Sequence, residues 1–197
     1  MVRLYYLAVI QRQPLKSVIL CNASDLKGFN FFQKGSVKEF MRFCSTTLVG
    51  RIELETKVSV KEQTYMCHAF VRKDGLAAAA VTDDEYPAKV AHICLSQLLE
   101  DFSFKILPKT WNTNEAVRYP EIKELLEKFE DPKSTDVLGV IQAELEETKV
   151  ILHQTMETIL QRGEKLDDLV IKADDLSIQA KTFYKTAKKT NACCSAL

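Results

Sequence analysis

The chain has 197 residues, with 27 basic and 27 acidic side chains that cancel to no net charge, so no global field selects nucleic acid or an acidic surface. Its length allows one compact domain plus a long extension, or two small domains, and no window approaches the 18 or more consecutive apolar residues of a membrane span. The start, Met1-Val2-Arg3-Leu4-Tyr5-Tyr6, is too short and aromatic for a secretory signal, which makes a cytosolic chain the expectation.

In chain order, Leu4 to Ile10 and Val18 to Cys21 are short β-rich runs around Gln11-Arg12-Gln13-Pro14, a hairpin turn. A first helix is predicted from about Ser36 to Gly50, with Val37, Phe40, Met41, Cys44 and Leu48 on the stripe that packs on a sheet. Phe43 lies about 120° from that stripe and belongs at the edge of the packing or in solvent. Leu54 to Val60, Tyr65 to Val71 and Leu76 to Thr82 read as a meander, with Asp74-Gly75 at a tight turn. Pro87 opens a second helix to about Phe104, with Ala91, Cys94, Leu95, Leu98, Leu99 and Phe102 inward. A third follows Pro120, with Ile122, Leu125, Leu126 and Phe129 apolar. This order predicts an α+β domain, a five-stranded antiparallel sheet flanked by three helices.

Cys21, Cys44, Cys67 and Cys94 stand singly and read as small buried apolar residues, with no Cys-x-x-Cys pair or Cys/His cluster to hold a metal. His68, His92 and His153 are isolated, no Gly-rich phosphate loop occurs, and no nucleophile sits beside a base. No catalytic residue, metal or cofactor is expected.

The longest pattern lies at the C-terminus. Leu138, Ile141, Leu145, Thr148, Leu152, Thr155, Ile159, Arg162, Leu166, Leu169, Ala173, Leu176, Ala180, Phe183, Ala187 and Thr190 are spaced alternately by three and four. That is a heptad seam, and as one helix it would run roughly 80 Å. Arg162 interrupts it. Two such guanidinium groups facing each other in a dry homodimer would cost several kcal/mol, so partner helices carrying neutral acceptors such as Gln amides are expected instead. Gly163 weakens the helix by roughly 0.5 to 1 kcal/mol relative to Ala, so the helix should form fully only with partners.

The run Gln161-Arg162-Gly163-Glu164-Lys165-Leu166-Asp167-Asp168-Leu169, with seven layers before the Arg and eight after it, resembles an R-SNARE motif of the synaptobrevin type. The resemblance implies that Arg162 is the zero-layer residue, meeting one Gln from each of three partner helices in a parallel four-helix bundle. The seam would be Leu138, Ile141, Leu145, Leu152, Ile159, Leu166, Leu169, Ala173, Leu176, Ala180, Phe183 and Ala187. Upstream, the element order together with Val60-Lys61-Glu62-Gln63 and Asp84-Glu85-Tyr86-Pro87 is similar to the profilin-like longin domain at the N-terminus of some R-SNAREs. The division that follows is a longin domain over 1–131, a linker over 132–137, the R-SNARE coiled coil over 138–190 and a tail over 191–197.

Cys194-Ser195-Ala196-Leu197 has the spacing of a prenylation box, and the final Leu favours geranylgeranyl. Cys193 is a candidate for a palmitoyl or second prenyl group. Lys181, Lys185, Lys188 and Lys189 add attraction to anionic lipid, each worth about 1 kcal/mol near the surface. Two lipids make a stable anchor and one allows cycling. The tail is similar to that of lipid-anchored longin R-SNAREs, from which Ser195 and Leu197 depart in detail. The resemblance implies a vesicle-fusion factor cycling from cytoplasm to Golgi, ER and endosomal membranes. A cytosolic chain exposing this seam would need cover, so the longin domain is expected to fold back on it, with Phe43 in the receiving surface. The alternative is a coiled-coil adaptor with a longin domain.

Overall fold

Strands β1 (Leu4–Gln11) and β5 (Leu76–Asp83) are buried along nearly their whole length, as strands are when both faces of a sheet are covered. The computed structural model that shows this describes residues 2–14, 16–111, 116–133 and 150–194. Around this pair lie β2 (Val18–Ser24), β3 (Thr56–Glu62), β4 (Tyr65–Val71) and β6 (Val150–His153), in the order β2-β1-β5-β4-β3-β6. Alternation sorts the side chains. Leu7, Val9, Ala78 and Ala80 face helices α2 (Ala88–Lys105) and α3 (Glu121–Lys128), whereas Tyr6, Ala8, Ile10, Ala77, Ala79 and Val81 face helix α1 (Lys34–Arg51). The small residues of β5 let helices approach from both sides. The tight turn before it is Gly75, at φ +80°, a conformation glycine adopts without strain.

Six strands replace the expected five, and the sheet is not wholly antiparallel. β6 pairs parallel to β3, from Lys57↔Val150 to Val60↔His153. Without β6, β3 would present a row of unpaired backbone groups, and Val150-Ile151 are β-branched residues suited to cover it. The seam position there, Leu152, serves as strand. The expected unbroken helix over 138–190 is likewise absent from the described part, which runs β6, a 3-10 turn at Met156–Ile159, α4 (Leu166–Lys172) and α5 (Ile178–Cys194).

His68 and His92, isolated along the chain, meet in space with ring centroids 5.6 Å apart. The hydrogen bonds have one consistent direction. Thr82 Oγ1 donates to the Asp83 carbonyl at 2.9 Å and so accepts from His68 Nε2 at 3.0 Å. His68 Nδ1 then accepts from Ser59 Oγ at 2.8 Å, and Ser59 Oγ accepts from His92 Nε2 at 2.9 Å. Burial pulls both imidazoles down to about 3, with His68 and Lys57 adding to the effect at His92. These are neutral core histidines, sealed beneath α2.

Candidate functional site

α5 and the 3-10 turn at Met156–Ile159 pack on α1, and together with α4 they share one buried cluster with α1, β3 and β4. α5 begins where Ser177 Oγ accepts the N–H of Ala180 at 3.2 Å, a hydroxyl cap on the first turn. Ser177 is itself held, its N–H donating to Glu39 Oε2 of α1 at 3.0 Å. From there Ala180, Phe183, Tyr184 and Ala187 recur at helical spacing. Asp167 and Asp168 occupy the first turn of α4, where carboxylates favour the helix dipole.

At the centre sits Phe40. Its ring lies 5.2 Å from Tyr184, 6.4 Å from Phe183 and 6.3 Å from Phe43, which stacks on it. Polar ties ring the apolar contact. Tyr184 Oη donates to Asp167 Oδ1 at 2.7 Å, and Lys188 Nζ donates to Asp167 Oδ2 at 2.7 Å. The Lys188 bond, then that of Tyr184, hold the Asp167 carboxyl below the usual carboxylate range, while burial and Asp167 push the Tyr184 phenol up. Arg51 pairs with Glu164 at 3.0 Å and Lys16 with Asp175 at 2.7 Å. Glu62, beside Met156 at the far end, is pushed up by burial.

The seam residues divide three ways. Leu166, Leu176 and Ala180 are fully buried against the α1 face. Ile159, Ala173 and Phe183 pack half-buried on the same cluster, and Leu169 and Ala187 are also half-buried. Leu152 is 60% exposed on β6, and Arg162 is exposed in the turn that precedes α4. Gly163 beside it has φ +89°, a left-handed conformation incompatible with a helix passing through the Arg. Leu138, Ile141 and Leu145 lie outside the described residues, as do 195–197. Cys193 and Cys194 close α5, and their side chains lie outside the described ones.

Three buried residues of this site were missed by the heptad reading: Met156, Val170 and Tyr184. Val170 and Tyr184 stand four residues after Leu166 and Ala180, a second stripe that i,i+4 spacing could have offered. Helical spacing puts Phe40 on the sheet-facing stripe, but its ring turns to Phe183 and Tyr184 of α5. Phe43 is half-buried and lines a groove with Glu39, Arg42, Ala173 and Asp175. Chemically the arrangement can do one thing: a side chain such as Leu166 or Ala180 cannot fill this cluster and an intermolecular seam together, so the two states exclude one another.

Among the described residues no helix is long and apolar enough to cross a membrane, and no group of three or more His, Cys, Asp or Glu could hold a metal. Two family models match the chain, a longin model described as a regulated-SNARE-like domain over residues 26–126 and a synaptobrevin model over residues 138–194. The synaptobrevin homolog ykt6 of Schizosaccharomyces pombe is 40% identical over 193 residues, 98% of each chain. Those of Eremothecium gossypii and Yarrowia lipolytica are 38% and 39% identical over 196 residues, again 98% of each chain.

Proposed function

The chain belongs to the longin R-SNAREs of the synaptobrevin family, non-enzymatic proteins that join SNARE complexes in vesicle trafficking, and from that premise we propose that residues 138–190 zipper with three Gln-bearing helices in a parallel bundle. Arg162 forms its ionic layer, and the twelve seam residues from Leu138 to Ala187 form the rest. Residues 1–131 are the longin unit, 132–137 the linker and 191–197 the lipidation tail. Cys194 carries a prenyl group and Cys193 a palmitoyl or second prenyl group. The protein cycles between cytoplasm and the cytosolic faces of Golgi, ER, vesicle and endosomal membranes. In the cytosolic state the longin unit restrains the SNARE segment, with Phe40 and Phe43 in the receiving surface.

What supports this reading is one arrangement: Leu166, Leu176 and Ala180 are buried on the α1 face while Arg162 stays in water. A guanidinium without acceptors is cheapest exposed, and its apolar neighbours are cheapest covered. The folded-back state satisfies both until Gln helices arrive. The test is to mix the full chain with Gln-SNARE helices and follow far-UV circular dichroism and size-exclusion profiles. Helix gained only in the mixture, with a heteromeric four-stranded assembly, is the expected result. Self-association of the chain alone would favour a coiled-coil adaptor instead. Arg162→Leu is expected to assemble less selectively in register, and equal register and equal bilayer merger would remove the role given to Arg162.

A further inference from the structure

Residues 26–38, Leu-Lys-Gly-Phe-Asn-Phe-Phe-Gln-Lys-Gly-Ser-Val-Lys, contain three lysines and no acidic side chain, with Lys27 paired to Asp25 just before the segment at 3.0 Å and Lys34 and Lys38 beyond it. Phe29 turns inward and pins this loop, its ring 5.6 Å from Tyr5 and 6.5 Å from Tyr65. Two residues on, Phe31 and Phe32 turn outward, 79% and 88% exposed, with their rings edge to face at 5.7 Å. The turn that presents them is tied down. The Phe32 N–H donates to Asn30 Oδ1 at 3.3 Å, and the N–H groups of Gln33 and Lys34 donate to the Asn30 carbonyl at 2.9 and 3.2 Å. Lys34 and Lys38 follow one helical turn apart at the start of α1.

Phe32 also borders an open pocket that it shares with Thr182, Phe183, Thr186 and Ala187 of α5. α5 brings Lys181, Lys185 and Lys189, besides the Lys188 already bound to Asp167, and has no acidic residue of its own. An outward aromatic pair between two lysine-bearing, acid-free segments matches one environment well. At the edge of an anionic bilayer, aromatic rings settle at headgroup depth while ammonium groups meet the phosphates. We propose that the Phe31–Phe32 loop is a membrane-contact site of the longin unit, inserting both rings into the headgroup–acyl boundary of anionic bilayers. The contact needs neither the helical bundle nor a lipid on Cys193 or Cys194. It would lay α1 and α5 against the surface to which the tail is tethered.

The full chain carrying Cys193→Ser and Cys194→Ser, with Phe31→Trp as reporter, is mixed with vesicles of phosphatidylcholine and phosphatidylserine. Emission is expected to shift to the blue above the constant signal of buried Trp111, and bromine on the upper acyl chain should quench it. In the same chain lacking Cys193 and Cys194, Phe31→Ser with Phe32→Ser should lower the vesicle partition coefficient about tenfold or more. Because neither ring lies in the core, the thermal midpoint should not move. Phe104→Ser, which removes another exposed ring, 89% accessible at the end of α2, should leave binding unchanged. The proposal is overturned by an absent shift, by equal loss with Phe104→Ser, or by a shift seen only in the lipidated chain without vesicles, which would make the chain's own lipid the occupant.

Discussion

Ala78 and Ala80 of the central strand have one place to go, beneath α2, whereas Leu166, Leu176 and Ala180 of the C-terminal segment rest in the α1 cluster and, in the proposed bundle, would take a second place. A strand covered on both faces fixes its register, because a slip of one residue would exchange its two faces. A heptad seam has no such internal partner. It needs other helices, and until they come any apolar face of suitable shape serves. The lesson is energetic as well as topological. The sheet unit is expected to unfold as a whole, and the covering segment to open locally, with its own smaller free energy.

The strongest way to break that distinction is to weaken the sheet core directly. Phe102 is fully buried between Trp111 and Tyr119, at 6.2 and 5.2 Å, so Phe102→Ala should cost about 3–5 kcal/mol in urea unfolding and lower every probe together. Acid reaches the same unit. Unfolded histidines take up protons near 6.5, but the buried His68 and His92 resist until about 3. The unfolded chain therefore binds more protons between those values, and stability falls as pH drops through the window, by up to ~1.4 kcal/mol per pH unit for each histidine. Replacing both by Gln should flatten the slope of thermal midpoint against pH; an unchanged slope would dismiss them as the cause.

Smaller effects should stay in the covering segment. Leu176→Asp places a carboxylate in its buried contact and should speed amide exchange in α4 and α5 about a hundredfold, with β1 and β5 still protected. If β1 and β5 exchange equally fast, the two regions are one cooperative unit. Phe43→Glu removes the stack on Phe40 and should cost about 1–2 kcal/mol of closure, read as faster proteolysis within 150–190 and a larger membrane-bound fraction. Unchanged values would discard Phe43 from the receiving surface. The least change is expected from Arg51→Ala, whose pair with Glu164 is partly exposed and worth under about 1 kcal/mol.

Much of the sheet unit could be read from residues alone, since periods of 2 and 3.6 are local properties. α2 begins after Pro87 as its sequence predicts, and its inward stripe from Ala91 to Phe102 is buried. The histidines were legible only as isolated letters, because their meeting depends on β3, β4, β5 and α2 converging. Periodicity misplaces Phe40 for a related reason: a helix with two covered faces has two stripes, and spacing does not say which neighbour takes which. β6 was hidden by its own heptad spacing.

By itself the sequence determined that residues 138–190 carry a seam with one charge in it, and that a sheet domain precedes them. Tertiary structure alone decided where that seam rests without partners: Leu166, Leu176 and Ala180 on the face of α1, Val150 to His153 along the edge of β3, and Arg162 in water. The reason is that apolar burial is non-directional. A pattern can state that a side chain must be covered, but only the folded neighbours supply what covers it.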